Sequence, residues 1–427
     1  MWILYELGIM LGFLLYLPKA LARRRLPHPG WTMRLGRYPA SVAQRLAGRR
    51  SIWLHAVSLG EALAAQPLAR ALLERSPQHP LVFSAITKSG FDAATKQVGE
   101  RGVPIFFPLD LRAPVRRAFD LVQPKLLIVM ESELWPMVIH AAHARGVPIV
   151  MVNGRISDRS FRRAQWVKSK LGWLWREVHL FLMQSQVDAD RLLQLGAPPE
   201  KVRVTGNLKW DASLSSRPNP SQLGGLRARL GLSEASPLLV AGSTHRGEEA
   251  AVLNAFHTLR ATHQDLRLVL APRHLERLEE IEGLVRHVGF APVRASGIAG
   301  GASWDVAVID RFGELPGYYG IATLVFVGGS LIPHGGQNPL EPASFGKPIV
   351  FGPHMHNFAA IAHQLLAHHA ARQLSGAGEL TPLLQELLEH SDEARQMGLR
   401  AQQLMEQFQG ATERTLTALQ PFLDRPS

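Results

Sequence analysis

Cysteine is absent from the 427 residues of this chain. That excludes disulfides, thiolate zinc sites, iron–sulfur clusters and a cysteine nucleophile. Several catalytic signatures are missing too. No GxGxxG follows a strand-like run, and there is no GxxxxGK[ST], HExxH or GxSxG. The dinucleotide fingerprint, the P-loop, the zinc-hydrolase helix and the serine-hydrolase elbow therefore find no support. Acid is short relative to base. Against 47 Lys and Arg stand 35 Asp and Glu, a net charge of +12, which points to an anionic partner. With 46% hydrophobic and 19% charged residues, the composition is that of a folded chain, long enough for two or three domains.

The one long apolar run is Met1–Leu17, with Glu6 its single charge. As a helix it rises about 24 Å, short of the ~20 residues that usually cross a bilayer. Basic residues follow it: Lys19, Arg23, Arg24, Arg25, Arg34, Arg37, Arg45, Arg49 and Arg50, with no acid before Glu61. An apolar segment followed by a basic flank reads as a membrane anchor, dipping into one leaflet or spanning it, with the later chain on the cytoplasmic side. The arginines from Arg34 to Arg50 are the expected contacts to headgroups and lipid phosphates. Nucleic acid is disfavoured, because the basic residues cluster beside an apolar segment rather than among aromatics.

From Ser51 onward short apolar runs alternate with amphipathic stretches. The strand candidates are Ile52–Val57, Leu81–Ile86, Pro104–Phe107, Leu126–Met130, Pro148–Val152, Leu180–Met183 and Val202–Val204. A Ser-, Pro- and Gly-rich stretch, Asp211–Gly225, breaks the rhythm and reads as a linker. The alternation then restarts with strands at Leu238–Ala241, Leu266–Leu270, Asp305–Ile309, Thr323–Val327 and Pro348–Phe351, and long helical runs between Leu380 and Phe422. The expectation is an anchor and basic linker over 1–50 and a first α/β domain over 51–210. A linker follows over 211–225, and a second α/β domain over 226–427. Doubly wound parallel sheets bind ligands at the carboxyl ends of their strands, and a cleft between two such domains is the default site.

Functional candidates sit at those strand ends. HAVSLGEA runs from His55 to Ala62, with Ser58, Gly60 and Glu61 in the turn. Ser58 and Glu61 form a capping-box pair, and Glu61 is equally placed to act as a general base on a hydroxyl. MESELWP crowds Glu131, Glu133 and Trp135 into a turn, either as helix-start acids or as a sugar-binding surface. VNGRIS offers Arg155 and GNLKWD offers Lys209 as cations for an acidic substrate. In the second half, AGSTHRGEE brings Ser243 and Thr244 to a turn whose backbone N–H groups suit an oxyanion. APRH places Arg273 for a phosphate. FVGGSL and PHGGQNPLEP supply Gly329, Gly336, Asn338 and Glu341, the last for ribose hydroxyls. The acids Asp188 and Asp190 of a DxD read as helix-start residues, and the histidines between His354 and His369 as a scattered surface set, so no metal is expected.

VSLGEA, ESELWP, NGRIS, TGNLKWD, GSTHRGEE, APRH and GGxNPLEP, in this order behind an apolar N-terminus, resemble the Kdo (3-deoxy-D-manno-octulosonic acid) transferases of lipopolysaccharide biosynthesis. The resemblance covers nearly the whole chain. It implies a GT-B fold, CMP-Kdo as donor, a lipid A precursor (lipid IVA) as acceptor, inversion at the anomeric carbon and no bound catalytic metal. It also implies a membrane-associated enzyme on the cytoplasmic face of the inner membrane. Under it, Glu61 is the general base and Glu133 the second important carboxylate. Ser243, Thr244, Arg273, Asn338 and Glu341 fall on donor-side motifs. Gln337 departs from the pattern, standing where histidine is expected in GGHN. The rival enzyme reading is another GT-B transferase of lipid A assembly using a UDP-sugar. A membrane-surface scaffold is the non-enzyme reading, and it predicts no nucleotide binding.

Overall fold

A computed structural model describes residues 5–9, 11–12, 15, 30–166, 168–215, 217–300 and 303–425, with backbone alone at 168–171. Much of Met1–Leu17, together with Lys19, Arg23, Arg24 and Arg25, lies outside the described residues. Among the described residues no helix is long and apolar enough to cross a membrane.

The chain forms two compact units, 1–212 with 409–427, and 213–408. In the first unit the strands are β1 (Ser51–His55), β2 (Leu81–Ala85), β3 (Gly102–Phe106), β4 (Pro124–Met130), β5 (Ile149–Gly154), β6 (Leu180–Met183) and β7 (Val202–Val204). They build one parallel sheet in the order β3-β2-β1-β4-β5-β6-β7. In the second unit, β8 (Leu238–Thr244), β9 (Arg267–Pro272), β10 (Pro292–Arg294), β11 (Val306–Val308), β12 (Leu324–Val327), β13 (Ile349–Phe351) and β14 (Arg372–Gln373) pair in the order β10-β11-β9-β8-β12-β13-β14. The central strands β1, β4, β8 and β12 are buried on both faces, which is why their sequences are continuous apolar runs rather than alternating ones.

Each strand order reverses beside its first strand, between β1 and β4 and between β8 and β12, which makes those carboxyl edges the natural ligand positions. Helices pack on both sheets. The first unit carries separate clusters around Trp53, Phe107 and Phe181 on one side and Leu54, Phe83 and Met130 on the other.

The first division between the units, at 212/213, falls inside the expected linker stretch, and the second falls at 408/409. The stretch 211–225 is largely helical, in Leu208–Ser215 and Pro220–Arg229. The second of these is started by Asn219 and Gln222, which exchange a full capping box with Pro220 in the first turn. The last helix, Ala411–Leu423, packs on the first unit, with Ala411, Leu416, Leu419 and Leu423 in its core. Asp211 fixes it there by accepting from the N–H groups of Gly410 (2.8 Å) and Thr412 (2.6 Å). Some of the basic flank also serves the fold. Arg45 donates to the carbonyls of Glu100 (2.7 Å) and Gly102 (2.5 Å), and Arg50 to that of Pro124 (3.4 Å).

Candidate functional site

In the first unit the candidates gather at the carboxyl ends of β1, β4 and β5. The turn after β1 starts the helix Leu59–Ala64, with Ser58 as N-cap. The Glu61 carboxylate accepts from Val57 N–H (2.8 Å) on one oxygen and from the Ser58 hydroxyl (2.8 Å) on the other. Ser58 caps the helix by accepting the Glu61 N–H (3.4 Å), while the carboxylate takes the Val57 rather than the Ser58 backbone N–H and keeps lone pairs free on both oxygens. Burial pushes the Glu61 carboxyl up to about 7, the carboxylates of Glu131 and Glu133 add to the rise, and the Val57 and Ser58 donors oppose it. A group poised there suits proton abstraction at neutral pH. Gly60, exposed in the first turn of the helix, lies open on the same loop.

After β4 the chain turns through Glu131, a non-glycine residue at φ +56°. Left-handed backbone at a strand end costs free energy and persists where the surroundings hold it. Here the holding contact is an ion pair to Lys209 at 3.2 Å, both side chains 18% exposed. Glu133 is raised by burial and then by Glu131. Asn153, buried at φ +58°, accepts the Leu208 N–H (2.9 Å) on its side chain and thereby sets the helix that carries Lys209. Glu61, Glu131, Glu133 and Lys209 are thus coupled. Arg155 follows β5 by one residue and is half-buried. His55, at the end of β1, is fully buried, held by the Ser84 hydroxyl (3.0 Å) and stacked on Phe107 at 3.6 Å. Burial brings its pKa down to about 3, so it is a neutral structural residue.

The second unit assembles the loops after β8, β9 and β12. Ser243 stands at φ +54°, and Thr244 is buried with its hydroxyl unpartnered. Arg273 is half-buried after β9, and its charge lowers the pKa of both Glu341 and His245. Asn338 donates to Glu341 (3.2 Å) and to the Ser213 hydroxyl (3.2 Å) while accepting from Leu340 N–H (3.1 Å). Burial raises Glu341 despite the Asn338 hydrogen bond. His245 sits 3.9 Å from the His334 ring and 5.6 Å from that of His274. Burial, followed by the effects of His334, His274, Arg273 and Arg277, lowers it to about 4. The Gln337 side-chain amide lies 3.0 Å from His245 Nε2, so the residue that departs from the expected motif holds that ring as an acceptor.

In the AGSTHRGEE turn the His245 N–H is taken up from within, together with three N–H groups of the loop after β12. Glu248, fully buried, accepts from His245 N–H (2.9 Å) and Gly329 N–H (2.6 Å) on one oxygen, and from Ser330 and Leu331 N–H (2.9 Å each) on the other. Gly329 at φ +65° and Gly336 at φ +77° shape the loop, and Gly336 N–H is spent on the Gly329 carbonyl (2.7 Å). The helix after them, Leu340–Ser344, is only one turn. In the sequence Glu248 reads as an ordinary helix-start acid. Its spacing after GSTHRG gives no sign of the four donors from two separate loops. Asp188 likewise serves the fold, accepting from Ile156 N–H (2.8 Å) and the Ser185 hydroxyl (2.5 Å).

Two parallel α/β units of this kind define the GT-B class of glycosyltransferase folds. Solved structures share the architecture at low identity. The UDP-GlcNAc 2-epimerase from Neisseria meningitidis is similar at a TM-score of 0.60 and 12% identity, over 87% of this chain and 100% of that one. Anabaena Alr3699/HepE is similar at a TM-score of 0.55 and 15% identity, over 88% and 100%. Residues 29–212 match the family described as 3-deoxy-D-manno-octulosonic-acid transferase (kdotransferase). The Haemophilus influenzae 3-deoxy-D-manno-octulosonic acid transferase is 34% identical over 88% of both chains. That of Bordetella pertussis is 35% identical over 91% of both. The chain belongs to the 3-deoxy-D-manno-octulosonic acid transferase family. It is a glycosyltransferase, and its reaction is Kdo transfer in lipopolysaccharide biosynthesis.

Proposed function

We propose that the protein transfers Kdo from CMP-Kdo to a lipid A precursor, lipid IVA, with inversion, at the cytoplasmic face of the inner membrane. The observation that carries this reading is Glu61. It is a carboxylate at the carboxyl end of a central strand, raised to about 7 by burial and by two neighbouring acids, with free lone pairs. As the acceptor hydroxyl oxygen attacks the anomeric carbon, Glu61 takes its proton. The bond from that carbon to the CMP phosphate breaks, and its electron pair leaves with the phosphate. A single displacement of this kind inverts the centre. General-base assistance is worth about 10²–10⁴ in rate.

The second unit supplies the donor side. Arg273 faces the leaving phosphate, with Ser243 and Thr244 as hydroxyl contacts and Glu341, oriented by Asn338, for the ribose. Gly329 and Gly336 give the loop its path. Glu133 sets the charge around Glu61, while Ser58, Gly60, Arg155 and Lys209 line the acceptor and sugar side. Placement at the membrane is supported by the apolar start of the chain and the basic residues after it. The test is nucleotide protection followed by turnover. CMP should raise the unfolding temperature more than UDP does, and CMP-Kdo with lipid IVA should yield a Kdo-extended lipid and CMP. Preferential protection by UDP, with turnover of a UDP-sugar, would replace this reading by the rival one.

A further inference from the structure

The helix Asp158–Trp166 contains no buried residue. Phe161 and Ala164 rest against the core of the first unit. Arg159, Arg162 and Arg163 are exposed, and Trp166 is 90% exposed. Positions 159, 162, 163 and 166 recur at helical spacing, so the arginines and the indole share one outward face. The helix's one acid, Asp158, is neutralised by an ion pair to Arg191. A bare tryptophan on a face of uncompensated arginines has the chemistry of an interfacial helix, with an amphipathic ring at headgroup level and cations for anionic lipid.

Its position adds weight. The helix begins just beyond the carboxyl end of β5, on the sheet edge that carries Glu61, Glu131 and Glu133. Tyr5 and Glu6 are tied to that same edge. The Tyr5 hydroxyl donates to Asp110 (2.5 Å), which accepts from Met137 (3.1 Å) and Val138 (3.0 Å) N–H at the start of the helix after β4. Glu6 accepts from Arg112 N–H at 2.6 Å. Among the described residues there, Leu7, Leu11 and Leu15, at four-residue spacing, are 56%, 58% and 74% exposed. An apolar stripe and a cationic, tryptophan-ended helix thus lie on one edge of one sheet.

We propose that Asp158–Trp166 is a second membrane-docking element, seating Trp166 in the headgroup layer of an anionic bilayer and presenting the carboxylate edge to it. This deepens the reading that the acceptor is lipid-borne and rests on it. Because the chain has no cysteine, Gln165→Cys gives a single labelling site beside Trp166, and Glu200→Cys, before β7 at the opposite sheet edge, gives a control. Each full-length variant carries a polarity-sensitive fluorophore and is mixed with vesicles of phosphatidylglycerol and phosphatidylethanolamine, or of phosphatidylcholine alone.

A blue shift at 165 with the anionic vesicles and none at 200 is expected. Arg159→Gln, Arg162→Gln and Arg163→Gln together should weaken the response about fivefold per arginine, on the order of 100-fold in all. About 0.5 M salt should suppress it. Unchanged thermal protection by CMP will show that the triple variant is folded. A label at 165 that stays in water while the protein sediments with anionic vesicles overturns the proposal. A shift produced by RNA and not by lipid overturns it as well. The readout needs no sugar transfer, so its failure leaves the reaction reading standing, and loss of turnover leaves it untouched.

Discussion

Glu248→Gln removes one of the two acceptor oxygens that join the loops after β8 and β12. In the parent, one oxygen takes the N–H groups of His245 and Gly329 and the other those of Ser330 and Leu331. An amide in the same place turns an NH₂ toward one of these pairs, leaving two buried donors without an acceptor. The other pair loses its charge assistance. At about 1–3 kcal/mol for each stranded donor, the loss is about 3–5 kcal/mol. That is a large part of the ~5–15 kcal/mol that holds a domain together. Urea unfolding followed with a probe in the second unit measures it, and CMP titration measures the accompanying loss of nucleotide affinity as the Ser243–Thr244 turn separates from the Gly329–Gln337 loop. A loss below about 1 kcal/mol with unchanged CMP affinity would refute the claim that one carboxylate fastens the donor loops.

Glu61→Gln should lower kcat by about 10²–10⁴ while CMP protection is unchanged; an unchanged kcat removes the base assignment. The parent's rate should rise with pH through about 7, where Glu61 loses its proton. Because folding raises this carboxyl from its ordinary 4.5, its contribution to stability is fully present below that value and is lost as pH climbs through about 7, visible as a falling unfolding temperature. Glu131→Gln should move the acid limb of the rate profile to lower pH by removing a neighbouring negative charge. Lys209→Met should move it higher by leaving Glu131 unpaired; shifts of the same sign would contradict the coupling. Arg273→Ala should weaken CMP binding with little change in the unfolding temperature of the free protein, read by calorimetry.

The sheet cores were legible because their chemistry is local. Every strand read from an apolar run bounded by turns is present, from Ser51–His55 to Ile349–Phe351, within a residue or two except where β8 runs on through Thr244. The strands not anticipated, Pro292–Arg294 and Arg372–Gln373, are short, peripheral and partly or wholly exposed, and have no apolar run to announce them. The division between the units falls at 212/213, inside the 211–225 stretch, and that stretch is partly helical because serine, proline and asparagine start helices as readily as they break them. Only the exchange between Asn219 and Gln222 decides the matter. Where the last helix belongs depends on Asp211, almost two hundred positions away, which no window of sequence displays.

The site divides in the same way. Residue type at a strand end makes Glu61, Arg273 and Glu341 candidates, and the family resemblance adds Glu133 and Asn338. The backbone and buried contacts behind them are not visible in the motifs: Glu131 and Asn153 stand in left-handed backbone, and Glu248 lies buried beneath the glycines. At the Ser58–Glu61 pair a cap and a candidate base are compatible. The Ser58 hydroxyl that caps the helix, by accepting the Glu61 N–H (3.4 Å), also donates to the Glu61 carboxylate (2.8 Å) and helps to orient it.

The most direct test is to incubate the purified protein with CMP-Kdo and lipid IVA and to weigh the lipid, alongside Glu61→Gln. The expected result is a lipid heavier by whole Kdo residues, with CMP released by the parent and almost none by the variant. An unaltered lipid in the presence of bound CMP, or equal turnover by the variant, would contradict it.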